Sequence, residues 1–184
     1  MKAGQVRRKR EQRLMRIFKL VFALGFALVL AACGDSTVRD PKFRTYNGPE
    51  VTFITIDKTD RKMRLFHNND VLETYDIALG FAPRGHKQFE GDGKTPEGLY
   101  YIDRRNPRSR FHLSLGISYP NKEDIAFAKA QGKSPGGEIF IHGKTGYRGD
   151  NKGDWTWGCL AVTDREMEDI YAMVKTGTPI RINP

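Results

Sequence analysis

Cysteine and tryptophan are both scarce in this chain of 184 residues, which contains two of each. Cys33 closes an apolar stretch near the start, and Cys159 lies far downstream. No CxxC or HxxxH spacing accompanies them, which argues against a zinc site built from His142, Cys159 and His112. If Cys33 belongs to a leader, Cys159 has no partner for a disulfide within the chain. An unpaired thiol in an exported protein is a candidate reactive group.

Long hydrophobic runs are also missing, because the apolar stretch over residues 20–32 is shorter than the about 20 residues of a membrane-spanning helix. Eight Lys or Arg residues and one acid precede it, and small residues end it. This order is that of an export signal. The tetrad Leu-Ala-Ala-Cys resembles the bacterial lipobox, which implies a lipoprotein signal peptide over residues 1–32 and lipidation of Cys33. An uncleaved anchor, or a signal peptide cut near Ala32, stays open.

A large excess of basic over acidic residues is also absent when the leader is not counted. The whole chain has 31 Lys and Arg against 22 Asp and Glu, a net charge of +9. Residues 1–32 hold eight of these bases and one of these acids, so 23 bases and 21 acids remain, a net charge of +2. The basic isoelectric point therefore does not indicate a nucleic-acid partner. The leader predicts the periplasm or cell envelope, with a lipid on Cys33 reaching the membrane.

The part after the leader has the length of one domain with its own core. Residues 33–49 mix charge, Pro and Gly without periodicity and predict a tether. From residue 50 to residue 184 the pattern is mostly β, typical of hairpins in a twisted sheet or barrel. The predicted strands are residues 51–56, 63–66, 71–79, 99–102, 111–118, 138–142 and 179–182.

Two helices are predicted, the first over residues 121–131. The second is better marked, because Thr163 and Glu166 form a capping-box pattern ahead of an apolar stripe at helical spacing. Lys175 and Gly177 are placed to close it, as a cation in the last turn and a glycine after the end.

Cys159 and His142 are the candidate catalytic pair. A thiol nucleophile needs a neighbouring base or cation, and His142 ends a predicted strand just before Gly143, where the backbone can approach closely. Gly158 frees the backbone before Cys159, so that amide N–H groups, first that of Cys159, can face a developing oxyanion. The remaining histidines are interpreted as surface or core residues: His67, His86 and His112.

Three ordered motifs carry a resemblance to a known family. Gly-Asp-Gly-Lys-Thr-Pro-Glu-Gly-Leu-Tyr at residues 91–100, Ile-His-Gly at residues 141–143 and Gly-Cys-Leu at residues 158–160 look like the L,D-transpeptidase catalytic domain, the YkuD family. The resemblance runs from about residue 51 to residue 182. It implies a β-rich α+β fold, a twisted sheet or β-sandwich with one or two flanking helices.

The resemblance implies an enzyme that acts on peptidoglycan stem peptides in cell wall remodelling. Cys159 would form a thioester at the L-centre of a diamino acid and expel the following D-alanine. His142 would donate and accept the protons, oriented by a backbone carbonyl. Gly143, Gly158 and Thr156 would support the site or its oxyanion hole. An amine or water would then resolve the thioester, and neither a metal nor an organic cofactor is implied.

The cysteine motif departs from the commonest family pattern, Ser-x-Gly-Cys-x-Arg. Thr156 keeps a hydroxyl at the serine position, whereas Ala161 lacks the guanidinium. Trp155 and Trp157 could fill that space as substrate contacts, or only pack. The form Asp-Trp-Thr-x-Gly-Cys-x-Ala-Val-Thr looks like a branch with cleavage activity, including release of lipoprotein from peptidoglycan. A hydrolase of the same fold, an L,D-carboxypeptidase, endopeptidase or amidase, is therefore the first alternative.

Other interpretations stay open. A sortase-like enzyme shares the order of His before Cys, but would need a Thr-Leu-x-Thr-Cys strand, which is lacking here, and a catalytic arginine, for which Arg165 lies not far downstream. Papain-like hydrolases place the cysteine first. A non-catalytic envelope lipoprotein that binds peptidoglycan would leave Cys159 unreactive. The segment over residues 91–100 is predicted as a glycine-bearing turn in which Pro96 fixes φ before a strand, with direct contact to the substrate as the alternative. Residues 144–153 form either a flexible cover or a solvated loop.

Overall fold

The computed structural model describes residues 42–144 and 153–184. The predicted signal peptide, the lipidation site Cys33 and residues 33–41 of the predicted tether lie outside these ranges. Most of the loop over residues 144–153, predicted as a cover or a solvated loop, lies outside them as well.

The described residues contain eight strands and two helices. In chain order they are β1 (Phe53–Asp57), β2 (Lys62–His67), β3 (Asp70–Asp76), β4 (Gly98–Asn106), β5 (Ser114–Ile117), α1 (Lys122–Ala130), β6 (Phe140–His142), β7 (Leu160–Ala161), α2 (Asp164–Met173) and β8 (Pro179–Asn183). The strands form one sheet with the order β3-β2-β1-β8-β4-β5-β6-β7. The prediction of a mostly β fold with flanking helices is confirmed.

The sheet curls until its two ends meet. Most neighbouring strands are antiparallel, whereas β1 pairs with β8 and β6 with β7 in parallel. Ala78, two residues beyond the first strand of the order, forms an antiparallel bridge with Ala161 in the last. Gly80 forms a second bridge with Thr156. The segment from Thr156 to Ala161, which contains the candidate cysteine, is therefore bonded to the chain that follows β3, at the opposite end of the strand order.

The core is built from the inward-facing residues of the sheet together with α2. Alternate residues of β1 and β2 point inward, and Ile54, Ile56 and Leu65 are fully buried. Met167 and Ile170 of α2 are equally buried against the sheet. Each such side chain contributes about 1.5–3 kcal/mol through removal of apolar surface from water.

Both helices begin where the sequence places them. Asn121 caps α1, and Thr163 caps α2 in a capping box with Glu166. The predicted end of α2 is wrong: the helix stops at Met173, because Val174 turns to extended backbone. Gly177 belongs instead to the turn before β8. In the part of the chain that the structure describes, no helix has the length and apolar character needed to cross a membrane.

Two predicted strands are shortened by residues with positive φ. His112 has a φ of 72°, so β5 begins at Ser114 rather than at residue 111. Glu138 has a φ of 55°, so β6 begins at Phe140 rather than at residue 138. This left-handed conformation is uncommon for residues with a Cβ, and it breaks the extended ladder. Both interruptions lie next to the candidate site.

Candidate active site

The sheet brings the two candidate catalytic residues to neighbouring positions on adjacent strands. β6 ends at His142, and Cys159 immediately precedes β7. The parallel register pairs Ile141 with Leu160 and His142 with Ala161. Because side chains alternate along a strand, Cys159 and His142 point to the same face, as diagonal neighbours. Diagonal neighbours on a sheet lie within reach of long side chains.

The Cys159 thiol is half-buried and donates to the carbonyl oxygen of Glu138, with 3.5 Å between Sγ and the oxygen. Burial raises the pKa of this thiol to about 11, although the Phe140 N–H and the Lys87 ammonium act in the opposite direction. The thiol is therefore neutral near pH 7. It must lose its proton to a base before or during attack.

His142, the base expected from the sequence, is buried, with 4% of its surface exposed. Its Nδ1 lies 2.7 Å from the carbonyl oxygen of Gly143. A carbonyl only accepts hydrogen bonds, so the neutral ring carries its proton on Nδ1 and a lone pair on Nε2. Burial lowers the pKa of His142, opposed by the bond to Gly143, and keeps the ring neutral near pH 7.

Two aromatic rings pack against the imidazole. The Phe111 ring stacks on it, with centroids 4.5 Å apart and an interplanar angle of 26°. Trp155 meets the same ring edge to face, with centroids 5.7 Å apart. The structure thus places Trp155, predicted as a substrate contact, against His142. Phe111 was not predicted, since it lies 31 residues before His142 in a segment predicted as a strand.

Thr156 closes the turn that presents the cysteine. Its hydroxyl donates to the Cys159 carbonyl oxygen at 2.7 Å and accepts the Gly158 N–H at 3.1 Å. The N–H of Gly143 donates to the carbonyl oxygen of Phe111 at 3.0 Å. The amides of Gly143 and Gly158 are thus engaged within the fold. Of the proposed donors for an oxyanion, this leaves the amide of Cys159.

Two glycines let the backbone pack closely behind this turn. Gly158 has a φ of 120°, and a Cβ there would lie 2.5 Å from the Lys94 carbonyl oxygen. A Cβ on Gly80 would lie 2.1 Å from the Gly93 carbonyl oxygen and 3.0 Å from the Gly158 Cα. Residues 93–95 of the predicted turn therefore lie against the back of the cysteine turn. The Thr95 hydroxyl also accepts the Gly80 N–H at 3.1 Å, which links this segment to the chain around Gly80.

Asp154 anchors the start of the tryptophan-containing segment, a role that was not predicted. Its Oδ1 accepts the N–H of Leu79 at 2.8 Å, and its Oδ2 pairs with Arg61 at 2.7 Å. Asp154 and Leu79 are 75 residues apart, so no local pattern indicates the contact.

Trp157 differs from Trp155 in being 69% exposed. Its ring meets that of the half-exposed Phe81 at 87°, with centroids 4.9 Å apart. The Phe81 N–H donates to the Thr156 carbonyl oxygen at 2.9 Å, which ties this aromatic pair to the cysteine turn. Of the two tryptophans predicted as substrate contacts, Trp157 is the one open to solvent.

The other histidines have partners away from the thiol. His67 contacts the Glu50 carbonyl oxygen, His86 contacts Asp124, and His112 contacts Glu168. Among the described residues, no group of three or more His, Cys, Asp or Glu side chains is arranged to hold a metal ion.

Comparison with known proteins identifies the family. Residues 51–182 match the L,D-transpeptidase catalytic domain, YkuD. The chain belongs to this family. YafK of Escherichia coli K12, an L,D-transpeptidase by name, is 27% identical over 161 residues, which cover 84% of this chain and 60% of YafK.

Two solved structures share the fold of this family member. The helical cell shape determining protein Pgp2 from Campylobacter jejuni has a TM-score of 0.57 and 26% identity, over 80% of this chain and 53% of Pgp2. Bd1075 from Bdellovibrio bacteriovorus has a TM-score of 0.53 and 27% identity, over 73% of this chain and 48% of Bd1075. The chain thus spans about half to three-fifths of the length of these relatives.

Proposed function

We propose that this family member is a cysteine-dependent L,D-transpeptidase that acts on peptidoglycan stem peptides in cell wall remodelling. The observation that carries the proposal is the pairing of β6 with β7. It supports the proposal because it brings Cys159 and His142 to one face of neighbouring strands, and because the contact of Nδ1 with Gly143 leaves Nε2 as the basic nitrogen of the ring. The name of Pgp2 as a cell shape determining protein supports a role in the same process.

In the proposed reaction, His142 Nε2 takes the proton from Cys159 as Sγ attacks the carbonyl carbon of the L-centre of a diamino acid. The oxyanion that forms accepts the Cys159 N–H. The bond to the D-alanine nitrogen then breaks, and His142 returns the proton to that amine, leaving a thioester. An acceptor amine gives a proton to His142, attacks the thioester and releases the thiol, which regains the proton.

A hydrolase of the same fold is the second candidate, with water in place of the acceptor amine. Ala161 favours it, because this residue is buried between His142 and Ala78 in the strand pairing and brings no positive charge to the site. The products would come from L,D-carboxypeptidase or endopeptidase action, or from release of a peptidoglycan-linked lipoprotein. The exposed Trp157 is proposed to contact the substrate in either case.

The leader supports a proposed location in the cell envelope. Export and lipidation at Cys33 would anchor the protein to a membrane and place the domain beside peptidoglycan. Labelling with radioactive palmitate tests this anchor: loss of the label in Cys33→Ser is expected, and retained label in that variant would refute it.

The reaction is tested by incubating full-length protein in detergent with tetrapeptide muropeptides, cross-linked dimers and lipoprotein-bound peptidoglycan, followed by mass spectrometry. Dimers formed with loss of D-alanine indicate transpeptidation, tripeptides a carboxypeptidase, and freed lipoprotein a hydrolase. Cys159→Ala is the control and should be inactive but folded, since the change removes little volume. An unreactive Cys159, with no stoichiometric labelling by a carbapenem or iodoacetamide, would instead support the non-catalytic binding protein.

A further inference from the structure

Phe111 and His112 form a strained turn beside the site. His112 has a φ of 72°, which is uncommon for a residue with a Cβ. Such conformations persist only where the surrounding structure holds them, and they occur often at functional sites. Two sets of contacts involve this turn, one with helix α2 and one with His142 and Gly143.

Helix α2 holds the turn from outside. His112 Nε2 lies 2.9 Å from Glu168 Oε1, and both side chains are largely buried. Glu168 Oε2 in turn accepts a hydrogen bond of 2.9 Å from Nε of Arg44. Arg44 also pairs with Asp169 at 2.8 Å, so the segment before β1 is fastened to the same helix.

The turn holds His142 from two sides. The Phe111 ring covers one face of the imidazole, with centroids 4.5 Å apart. The Phe111 carbonyl oxygen accepts the N–H of Gly143, the residue whose own carbonyl fixes the His142 tautomer. A Cβ on Gly143 would lie 2.9 Å from that Phe111 oxygen, so the approach is close.

We propose that Phe111 is a positioning residue for His142, held in place by the contact between His112 and Glu168. The inference rests on the proposed function, because it treats His142 as the base. With a ring on one face and a hydrogen bond at Nδ1, the imidazole keeps its Nε2 directed at one place. A misplacement of about 1 Å at a reacting group can lower a rate by about a hundredfold.

Removal of the Phe111 ring should change both the rate and the pH dependence. Phe111→Ala in the full-length protein opens a face of His142 to water and relieves the burial that lowers its pKa. We expect kcat to fall by about tenfold to a hundredfold, and the acidic limb of its pH profile to move up. Phe111→Tyr keeps the stacked ring and should therefore keep both the kcat and the pH profile of the unchanged protein.

Iodoacetamide alkylation of Cys159 gives a second readout that needs no peptidoglycan, and its acidic limb should move in the same direction. The charged groups near these residues stay the same in both variants. They are Arg110 over the Phe111 ring, Lys87 and Glu138 near the thiol, Glu168 at His112, and Asp164, which accepts the Lys144 N–H next to Gly143. A residue with only a structural role would lower the amount of folded protein and leave the limb in place.

The outer contact is tested by His112→Gly, which tolerates the left-handed backbone but cannot reach Glu168. The expected effect is a smaller loss of kcat in the same direction, and adding Glu168→Gln should cause little further loss. If Phe111→Ala unfolds, Phe111→Leu replaces it with most of the volume retained. An unmoved acidic limb and an unchanged kcat per folded molecule, with His142→Ala inactive, would overturn this inference alone. An active His142→Ala would instead overturn the proposed function.

Discussion

The Nδ1 atom of His142 donates a hydrogen bond to the carbonyl oxygen of Gly143, and this contact fixes which ring nitrogen is basic. The orienting group belongs to the next residue of the backbone, so no carboxylate is required to select the tautomer. A backbone carbonyl cannot take up the proton. It orients the ring, and Nε2 is the atom that carries the proton in the proposed reaction.

The first prediction follows from this arrangement. His142→Ala should lower kcat by about 10²–10⁴-fold, the usual contribution of a general base. His67→Ala is the matched control, because His67 also has its Nδ1 beside a backbone carbonyl, that of Glu50, but is less buried than His142. Steady-state kinetics on muropeptides would show the difference. Equal loss in both variants would contradict the assignment of the base.

The second prediction concerns pH. The reactive form needs a neutral His142, and burial lowers the pKa of this group below its ordinary value of about 6.5. Turnover should therefore rise through an acidic limb centred below pH 6.5 and stay level from pH 7 to about 9, since the thiol pKa is about 11. A pH–rate profile checks this, and a limb centred above 6.5 would refute it.

The same shift affects stability with a defined sign. The unfolded chain binds a proton on His142 more readily than the folded protein does, so this group makes unfolding easier as the pH falls below about 6.5. The neutral His142 contributes fully to stability at a pH above its pKa in the unfolded chain. This contribution is lost as the pH falls to the lower pKa of His142 in the folded protein.

The third prediction concerns the glycine before the cysteine. Gly158→Ala should destabilise the fold by more than the about 1–2 kcal/mol of a left-handed alanine, because the new methyl would press on the Lys94 carbonyl. Gly91→Ala is the matched control: its φ of 78° brings the strain, but no described atom lies within 4 Å of the added carbon. Thermal unfolding of both variants gives the comparison, and equal shifts in Tm would disprove the close contact.

The fourth prediction tests whether Thr156 acts through the hydrogen bonds of its hydroxyl or through the volume of its side chain. Thr156→Val keeps the volume but loses the bonds to the Cys159 carbonyl and the Gly158 amide. We expect a loss of about 1–3 kcal/mol in the free energy of unfolding, together with a lower kcat. Thr156→Ser keeps the hydroxyl and should retain most of both quantities. Urea unfolding and kinetics would measure them, and a fully active Thr156→Val would exclude this role.

Much of this architecture can be predicted from the sequence, because the signals are local. The strand alternation, the capping box of α2 and the ordered motifs around His142 and Cys159 each lie within a few residues. They suffice to predict the β-rich fold and the family. The roles of the two residues remain predictions that the variants above would test.

The features that the sequence does not predict depend on contacts between segments that are distant in the chain. Phe111 stacks on His142, and Asp154 binds the Leu79 amide, only because the sheet curls to bring them together. Strand β7 has two residues, too few for a period to be visible in the sequence. The sequence predicts the wrong end for α2 because Lys175 and Gly177 match a helix end in composition, whereas the turn into β8 decides where the helix stops.

The two tryptophans of the chain both flank the cysteine turn, in opposite surroundings. Trp155 touches the imidazole of His142, and Trp157 is open to solvent. A protonated imidazole quenches indole emission, so fluorescence from Trp155 would follow the titration of His142, while Trp157 would respond to molecules that bind at its exposed ring. The protein therefore carries two intrinsic optical reporters, and single Trp→Phe variants would allow each to be read without an added dye.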